Sequence, residues 1–427
     1  MLIANSTTDT LAVRGGEPVR RDSFTRWPVH DNRELELMLE VVSSGRWSFD
    51  GPREQEFAHS FASYLGATHG FCVANGTVSL EIALKALGIG YGDEVIVPAL
   101  TWIADASAVL AVGAVPVIVD IDAATWCIDP SAVEAAITTR TRAVIAVHLY
   151  GSLADLDQLV DLTRRKRIAL VEDCAHTHVS RWRDRAAGSI GEIGSFSFQQ
   201  SKPLTAGEGG FLVTDDADLA ARIFSLKNCG RPWKGKADSK PLLGNNHRLT
   251  EFQAAILLAQ LERLDEQVAT REQNARQLDD ELGSIPGIVP QRRPDGVTRQ
   301  SFYRYAFRIE RDQFGGVHRD VFLEALRAEG IPAEPPYLPM VEQPALVLEP
   351  RWTPQLADRR QLAKSPAPVA RAASDAVVTI PHEVLLGSRE DMDDIVAAVA
   401  KIQEQADQLR TLKNRLRTLK ADWFGKK

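Results

Sequence analysis

The chain has 427 residues, of which 44% are hydrophobic and 25% charged, and its formal net charge is -7. This length allows two domains, or one large domain and a smaller one, and the composition is ordinary for a globular protein. The negative charge argues against nucleic acid as a partner, and no apolar run is long enough to cross a bilayer. The first residues lack the pattern of a signal peptide, so we expect a cytoplasmic protein that binds neither nucleic acid nor membrane.

The cysteine pattern predicts no metal site. Cys72, Cys127, Cys174 and Cys229 are widely spaced and form neither a CxxC pair nor a zinc-binding pattern with histidine. We therefore expect four buried free thiols and no bound metal.

Residues from about 60 to 215 alternate helical and strand patterns. FCVAN ends a first strand, and an amphipathic helix follows it; six further runs are typical of strands, namely EVIVPAL, VPVIVDI, AVIAVHLYG, IALVEDC, SFSFQQ and GFLVTDD. The alternation predicts an α/β fold with a seven-stranded, mostly parallel sheet. Ligands of such sheets bind beyond the carboxyl ends of the strands, so the polar residues there are the candidates for a site.

After about residue 250 the pattern predicts one long helix and then a smaller α/β domain. We place the large domain, with an N-terminal arm, at 1–265, the small C-terminal domain at 266–400 and a helical tail at 401–427. Apolar residues near the C-terminus follow a 4-3-4-3 spacing with one offset, at Ile395, Val399, Ile402, Ala406, Leu409, Leu412, Leu416, Leu419 and Trp423. Two interpretations stay open: a coiled-coil seam, or a terminal helix packed on its own domain.

Four features lie at predicted strand ends. Lys202 follows an apolar run and precedes a glycine-rich bend in FSFQQSKPLTAGEGG, and Asp173 ends the buried strand IALVEDC. Gly76 and Thr77 open a helix, and Trp102 follows another strand. A Schiff-base lysine, a carboxylate for a pyridine nitrogen, an aromatic face and a helix N-terminus for a phosphate are what a pyridoxal phosphate site needs. Each feature alone has a plainer structural explanation, so the prediction rests on their combination.

At these segments the sequence resembles the pyridoxal-phosphate-dependent sugar and cyclitol aminotransferases of antibiotic biosynthesis, the DegT/StrS family. The matching segments run from GGEPVRR to IPHEVLL and cover nearly the whole chain. The likeness is closest to the L-glutamine-dependent scyllo-inosose and 2-deoxy-scyllo-inosose aminotransferases, and it is carried by SFQQSKPLTAGEGG, RQSFYRYAFR and PPYLPMVEQP.

The resemblance implies a fold-type I aminotransferase that forms a homodimer with shared active sites. It implies that Lys202 is the Schiff-base lysine, that Asp173 pairs with the pyridine nitrogen, and that Trp102 stacks on the cofactor ring. His176 would lie near the phenolic oxygen of that ring.

The resemblance also assigns the cofactor phosphate. Gly76, Thr77 and Ser197 would hold it within one chain, and Asn246 would reach it from the neighbouring subunit. The sequence departs from the family at Ala74, where one hydroxyl of the phosphate turn is missing. We expect backbone donors and Thr77 to keep the phosphate bound.

Substrate contacts are predicted at polar residues of the same segments, namely Tyr150, Gln199, His148, Tyr337, His382 and Arg248. Each has a structural hydrogen-bonding role as its alternative. Tyr337 lies in the proline-rich PPYLP loop, and a rigid loop can present an aromatic side chain to a pocket.

The predicted reaction moves an amino group from L-glutamine or L-glutamate to the ketone of a cyclitol, such as scyllo-inosose or 2-deoxy-scyllo-inosose, in aminoglycoside biosynthesis. The cofactor would alternate between pyridoxal phosphate and pyridoxamine phosphate in ping-pong kinetics.

Three alternatives remain. One is a nucleotide-keto-sugar aminotransferase, although we find no extra basic cluster near the pocket segments. The second is an enzyme like 3-amino-5-hydroxybenzoate synthase. A dehydratase is disfavoured, because such relatives have histidine in place of Lys202. The third is an inactive partner subunit that interacts through its basic tail, at Arg410, Lys413, Arg415, Arg417 and Lys420.

Overall fold

The computed structural model describes residues 10–49, 51–236, 240–346 and 366–410. Its main feature is a seven-stranded sheet with the order β1-β9-β8-β5-β4-β2-β3. The strands are β1 (His69–Val73), β2 (Glu94–Pro98), β3 (Val115–Val119), β4 (Thr141–Val147), β5 (Ala169–Asp173), β8 (Ile193–Ser197) and β9 (Gly210–Thr214). All seven strand runs predicted from the sequence are therefore confirmed.

The sheet is parallel except at β9. That strand is antiparallel to both of its neighbours, β1 and β8. The chain between β8 and β9 is a single loop without a crossover helix, and such a short connection reverses the chain direction. This loop contains Lys202, so the turn that makes β9 antiparallel also places the lysine at the carboxyl end of β8.

Helices cover the sheet and link it to the rest of the chain. Those before the small domain are α1 (Asn32–Ser44), α2 (Pro52–Leu65), α3 (Gly76–Ala86), α4 (Ala104–Ala111), α5 (Pro130–Ala136), α6 (Leu156–Lys166), α7 (Ala217–Lys227), α8 (Glu251–Glu262) and α9 (Leu264–Gly283). Two strands, β6 (Arg181–Trp182) and β7 (Arg185–Ala186), pair with β11 (Val297–Arg299) in a separate three-stranded sheet.

The prediction of a single long helix after residue 250 is wrong. The segment forms two helices, α8 and α9, which meet at Arg263 with φ -104° and ψ 0°. The guanidinium group of Arg263 pairs with Glu34, at the N-terminus of α1, and with Asp31. The break therefore occurs at a tertiary contact, which the local apolar periodicity does not report.

A second hydrophobic core lies in the C-terminal part of the chain. It surrounds a three-stranded antiparallel sheet of β10 (Ile288–Pro290), β12 (Arg304–Ile309) and β13 (Val377–Pro381), with helices α10 (Arg319–Ala328), α11 (Pro368–Ala376) and α12 (Arg389–Glu404). Leu11 of the N-terminal arm joins this second core, whereas Met340 packs in the core of the large sheet. The domain boundaries at 265 and 400 stay predictions.

The C-terminal helix packs on its own domain as far as residue 410. Ile395, Val399, Ile402 and Leu409 are fully buried in the second core. The remaining residues of the predicted seam, from Leu412 to Trp423, and the basic residues Lys413 to Lys420 lie outside the described residues. No helix within the described ranges is both long enough and apolar enough to span a bilayer.

One of the four cysteines departs from expectation. Cys72, Cys127 and Cys174 are buried thiols, as predicted, but Cys229 is exposed. It follows α7 in a left-handed conformation, with φ 56°, at the start of a surface loop.

Candidate active site

A cavity of about 630 Å³ opens at the carboxyl ends of the strands of the large sheet. Its size is that of a site for a cofactor and a small substrate. The structure brings most of the predicted site residues to its wall, namely Gly76, Thr77, Trp102, Asp173, His176, Ser197, Gln199, Lys202 and Tyr337.

Lys202 is buried in the wall of this cavity. Its backbone N–H donates to the Gln199 carbonyl at 2.8 Å. The N–H of Gln200 donates to the Gly207 carbonyl and closes the loop, and Gly207 has the left-handed conformation, with φ +80°. The amino group lies 4.2 Å from the centre of the Tyr303 ring. Burial lowers the pKa of Lys202 below its usual value, while Tyr303 and Asp173 oppose that shift. The site thus favours a neutral, nucleophilic amine more than water does.

Asp173 is the last residue of β5 and is only 8% exposed. One carboxylate oxygen accepts the N–H of Ala175 at 2.8 Å. The backbone is fixed on the β4 side by the N–H of His148, which donates to the Asp173 carbonyl at 3.2 Å. A fixed, buried carboxylate at the cavity wall is suited to pair with a cationic group of a ligand.

Aromatic rings form a second wall. The rings of His176 and Tyr303 stack with their centres 4.0 Å apart, and the ring centres of Trp102 and Tyr337 are 5.7 Å apart. Nδ1 of His176 accepts the N–H of Tyr150, so Nε2 carries the proton of the neutral ring and donates to the Tyr337 hydroxyl at 3.4 Å. Burial first, and then the charge of Lys202, lowers the pKa of His176 well below its usual value. The wall therefore presents a neutral imidazole.

The N-terminus of α3 faces the cavity through Gly76 and Thr77. Asn75 caps the helix by accepting the N–H of Val78 at 2.9 Å. A Cβ at Gly76 would lie 2.7 Å from the Cβ of Ser197, so only glycine fits this approach. Free backbone N–H groups and the helix dipole make such a helix start suited to a phosphate.

His148 does not line the cavity. It is fully buried, its Nδ1 accepts the N–H of Ala154 at 3.2 Å, and its Nε2 donates to Glu172 at 3.1 Å. The Glu172 oxygens also accept three backbone N–H groups, those of Gly188, Ile190 and Gly191. The structure therefore gives His148 the structural role that was its alternative.

His382 lies behind Lys202 rather than on the cavity wall. Its Nε2 donates to the carbonyl of Ser201 at 3.0 Å, and its Nδ1 accepts from Arg271 at 3.1 Å. Tyr150 is also buried, with 1% of its surface exposed, and its hydroxyl accepts the N–H of Tyr337 at 3.4 Å. Both side chains hold loops of the site in place.

Asn246 and Arg248 lie apart from the cavity of their own chain. Asn246 is exposed and forms a β-bridge with Asn228. The Arg248 guanidinium group donates to the Asn228 side chain at 2.9 Å and lines a different cavity, of about 570 Å³.

Tyr303, Arg304 and Glu208 are among the cavity residues that the sequence interpretation did not predict. Arg304 begins β12, and its guanidinium group pairs with Glu334 at 2.5 Å and donates to Thr379 at 3.2 Å. The segment RQSFYRYAFR did contribute to the family resemblance. The local sequence pattern of this segment does not indicate that the start of β12 reaches the cavity of the large sheet.

Comparison with known proteins places this geometry in a family. The chain matches the DegT/DnrJ/EryC1/StrS aminotransferase family over residues 28–400. It is 44% identical to the L-glutamine:2-deoxy-scyllo-inosose aminotransferase of Micromonospora echinospora over 421 residues, which cover 94% of this chain and 99% of the relative. It is 41% identical to the L-glutamine:scyllo-inosose aminotransferase of Streptomyces griseus over 415 residues, which cover 92% of this chain and 97% of the relative.

Solved structures agree with the fold. The chain superposes on 3-amino-5-hydroxybenzoic acid synthase with a TM-score of 0.81 and 34% identity, covering 90% of this chain and 100% of the other. It superposes on DesI, solved in the presence of its TDP-sugar product, with a TM-score of 0.79 and 29% identity, covering 96% and 100%. The predicted α/β aminotransferase fold is thus confirmed, and the chain belongs to the DegT/DnrJ/EryC1/StrS aminotransferase family.

Proposed function

We propose that the chain binds pyridoxal phosphate around Lys202 and transfers the amino group of L-glutamine to the ketone of a cyclitol of the scyllo-inosose or 2-deoxy-scyllo-inosose type. One observation carries the proposal: a buried lysine, a buried carboxylate and an open helix N-terminus line the same cavity. The names of relatives that are 41–44% identical support the donor and the acceptor class.

The residues present fit the cofactor. The start of α3, with Gly76, Thr77 and Ser197, suits its phosphate, and the close approach of Gly76 to Ser197 leaves room for no side chain between them. Asp173 suits the protonated ring nitrogen, and Trp102 offers a ring face at the wall. When bound, pyridoxal phosphate supplies a reactive carbonyl and an electron sink for breaking the bond between carbon and hydrogen.

The chain itself supplies proton transfer and orientation. Lys202 has a lowered pKa because of its burial, so its amine can take a proton and return it. Its position is fixed from behind by His382, which donates to the Ser201 carbonyl. The neutral His176 is oriented by Tyr150 and Tyr337, and it can donate a hydrogen bond without adding positive charge.

We propose that Arg304 binds the carboxylate of the amino donor. Lys202 and Arg304 are the cationic side chains among the described residues of the cavity wall. Arginine suits a carboxylate because its planar group can donate two parallel hydrogen bonds. The neutral, hydroxyl-rich acceptor would instead contact Gln199, Tyr337 and Glu208.

We also propose a homodimer with shared sites. Asn246 is exposed on a loop away from its own cavity, where it is accessible to a second chain. Arg248 lies beside it and would contribute to the same contact.

The test is a two-step spectroscopic assay. Purified protein loaded with pyridoxal phosphate should change its visible spectrum on addition of L-glutamine, and the spectrum should return when a keto-cyclitol is added. The Lys202→Ala variant should fold but lose turnover by more than about 10³-fold, since it lacks the proton-transfer group. A protein that takes up no pyridoxal phosphate, or a Lys202→Ala variant that still turns over, would contradict the proposal.

A nucleotide-keto-sugar acceptor is the second candidate. It is supported by the similarity to DesI and by Arg231, Lys234 and Arg248, which together line the second cavity. Adding a nucleotide keto-sugar and a keto-cyclitol separately to the aminated enzyme distinguishes the two acceptors, because only the true acceptor restores the original spectrum.

A further inference from the structure

Asp105 is a buried carboxylate that the proposed function does not use. It lies in the first turn of α4 and is 0% exposed. Its Oδ2 accepts the Thr101 hydroxyl at 2.6 Å. Its Oδ1 is buried and has no hydrogen-bond partner among the described residues. A buried carboxylate oxygen without a donor is costly, so a group that satisfies it is required.

The group next to it is a second carboxyl group. The side chain of Asp105 lies within hydrogen-bond reach of the side chain of Asp173. Two ionised carboxylates have only acceptors to offer each other, and their charges repel strongly when both are shielded from water. The contact becomes favourable when one of the two carries a proton and donates it to the other.

We propose that Asp105 is a positioning residue that carries a proton at neutral pH and donates it to Asp173, so that the two carboxyl groups share one negative charge. This inference rests on the proposed function in so far as Asp173 serves the cofactor. The pairing itself depends only on the chain.

The surroundings decide which of the two holds the proton. Asp105 has no exposed surface and, among the described residues, Thr101 is its one neutral donor, whereas Asp173 is 8% exposed and accepts the N–H of Ala175. The charged groups that face Asp105 are Asp173 and Lys202. Burial first and Asp173 second raise the pKa of Asp105 well above its usual value, against the opposing effect of Lys202.

The proton has a consequence for the site. A hydrogen bond donated by Asp105 orients the carboxyl group of Asp173 toward a cationic partner in the cavity. Without Asp105 as a donor, Asp173 would be oriented less firmly and would hold the ring nitrogen of the cofactor less strongly.

The first test reads the proton directly. Infrared difference spectra between wild type and Asp105→Asn are recorded at neutral pH, on protein stripped of cofactor and on protein loaded with pyridoxal phosphate. Wild type should show the carbonyl stretch of a protonated carboxyl group that the variant lacks, in both forms. Absence of this band from the stripped wild type would overturn the inference. Asp105→Asn is nearly isosteric, and its amide can still accept from Thr101 and donate to Asp173.

The second test reads the hydrogen bond through the affinity for pyridoxal phosphate, measured by equilibrium dialysis. Asp105→Ala should weaken binding about tenfold, the effect of one hydrogen bond to a charged group, and Asp105→Asn should restore most of it. Equal loss in both variants would contradict a donor role. If wild type binds no pyridoxal phosphate, the proposed function fails, and the infrared band alone then decides whether Asp105 is protonated.

Discussion

The amino group of Lys202 lies over the ring of Tyr303, 4.2 Å from its centre. The Tyr303 hydroxyl also forms a hydrogen bond of 3.0 Å with Ser201, the residue before the lysine. An aromatic face therefore contacts the amine directly, and the same side chain also holds the side chain of the preceding residue, Ser201. The contact between the amine and the aromatic ring orients the amine, and it does so without placing a charged carboxylate beside it.

Tyr303→Phe should lower the pKa of Lys202 further. Burial lowers that pKa and the Tyr303 group raises it, so removing the phenol leaves burial less opposed. The rate at which the stripped protein takes up pyridoxal phosphate depends on the neutral amine, and its pH profile should shift to lower pH. Tyr91→Phe, at a site that is 83% exposed, is the matched control. A profile that stays in place or moves to higher pH would contradict this arrangement.

The large sheet was predictable because each of its strands is a short, apolar run between helical segments. Two features had no local signal. The break at Arg263 depends on Glu34, more than 200 residues earlier in the chain, and periodicity within one segment does not report such a contact. The contact between Asp105 and Asp173 joins residues that lie far apart in the chain, so it appears only in the folded structure.

The site shows the same division. Lys202, Asp173 and Gly76 were found because they follow strands of one sheet, whose ends share an edge. Tyr303 and Arg304 lie at the start of β12, a strand whose Tyr305 and Phe307 pack in the second core, so the tertiary packing of that strand is what brings them to the cavity. The sequence pattern does not indicate that His148 pairs with Glu172, an acidic residue inside β5, and that it lies away from the cavity wall.

Arg304→Ala should weaken binding of the amino donor. Loss of a charged hydrogen bond to the donor carboxylate should raise the KM for L-glutamine about 10- to 100-fold and leave the KM for the keto-cyclitol nearly unchanged. Arg304→Lys should recover part of the loss, because lysine keeps the charge and loses the two-bond geometry. Steady-state kinetics with each substrate varied in turn measures both constants.

A control variant separates this effect from a loss of structure. Arg308→Ala removes a cation from the same strand, where it pairs with Glu310 at 3.4 Å. It should leave the donor KM close to wild type. If Arg304→Ala raised both Michaelis constants equally, a specific contact with the donor carboxylate would be excluded.

Mixing two inactive variants should restore activity if sites are shared. Lys202→Ala lacks the amine of its own site, and Asn246→Ala would lack a phosphate contact in the site of its partner. A mixed dimer contains one site with both residues intact, so activity should return after the two variants are unfolded together and refolded. Each variant refolded alone is the control. Mixtures no more active than the separate variants would show that Asn246 does not serve a second chain.

Acidification should destabilise the protein through His178. This ring is fully buried among Phe61, Phe196 and Phe198, and burial lowers its pKa to about 3. Between that value and the ordinary value of about 6.5, the unfolded chain binds a proton that the folded chain does not, so stability falls as the pH drops below about 6.5. The free energy of unfolding should lose up to about 1.4 kcal/mol per pH unit from this group. Chemical denaturation measures this loss of unfolding free energy between pH 6.5 and 5, and His178→Phe should reduce it. A variant of the exposed His30 is the control and should not reduce it. An unchanged pH dependence in His178→Phe would mean that the fold does not keep this ring neutral.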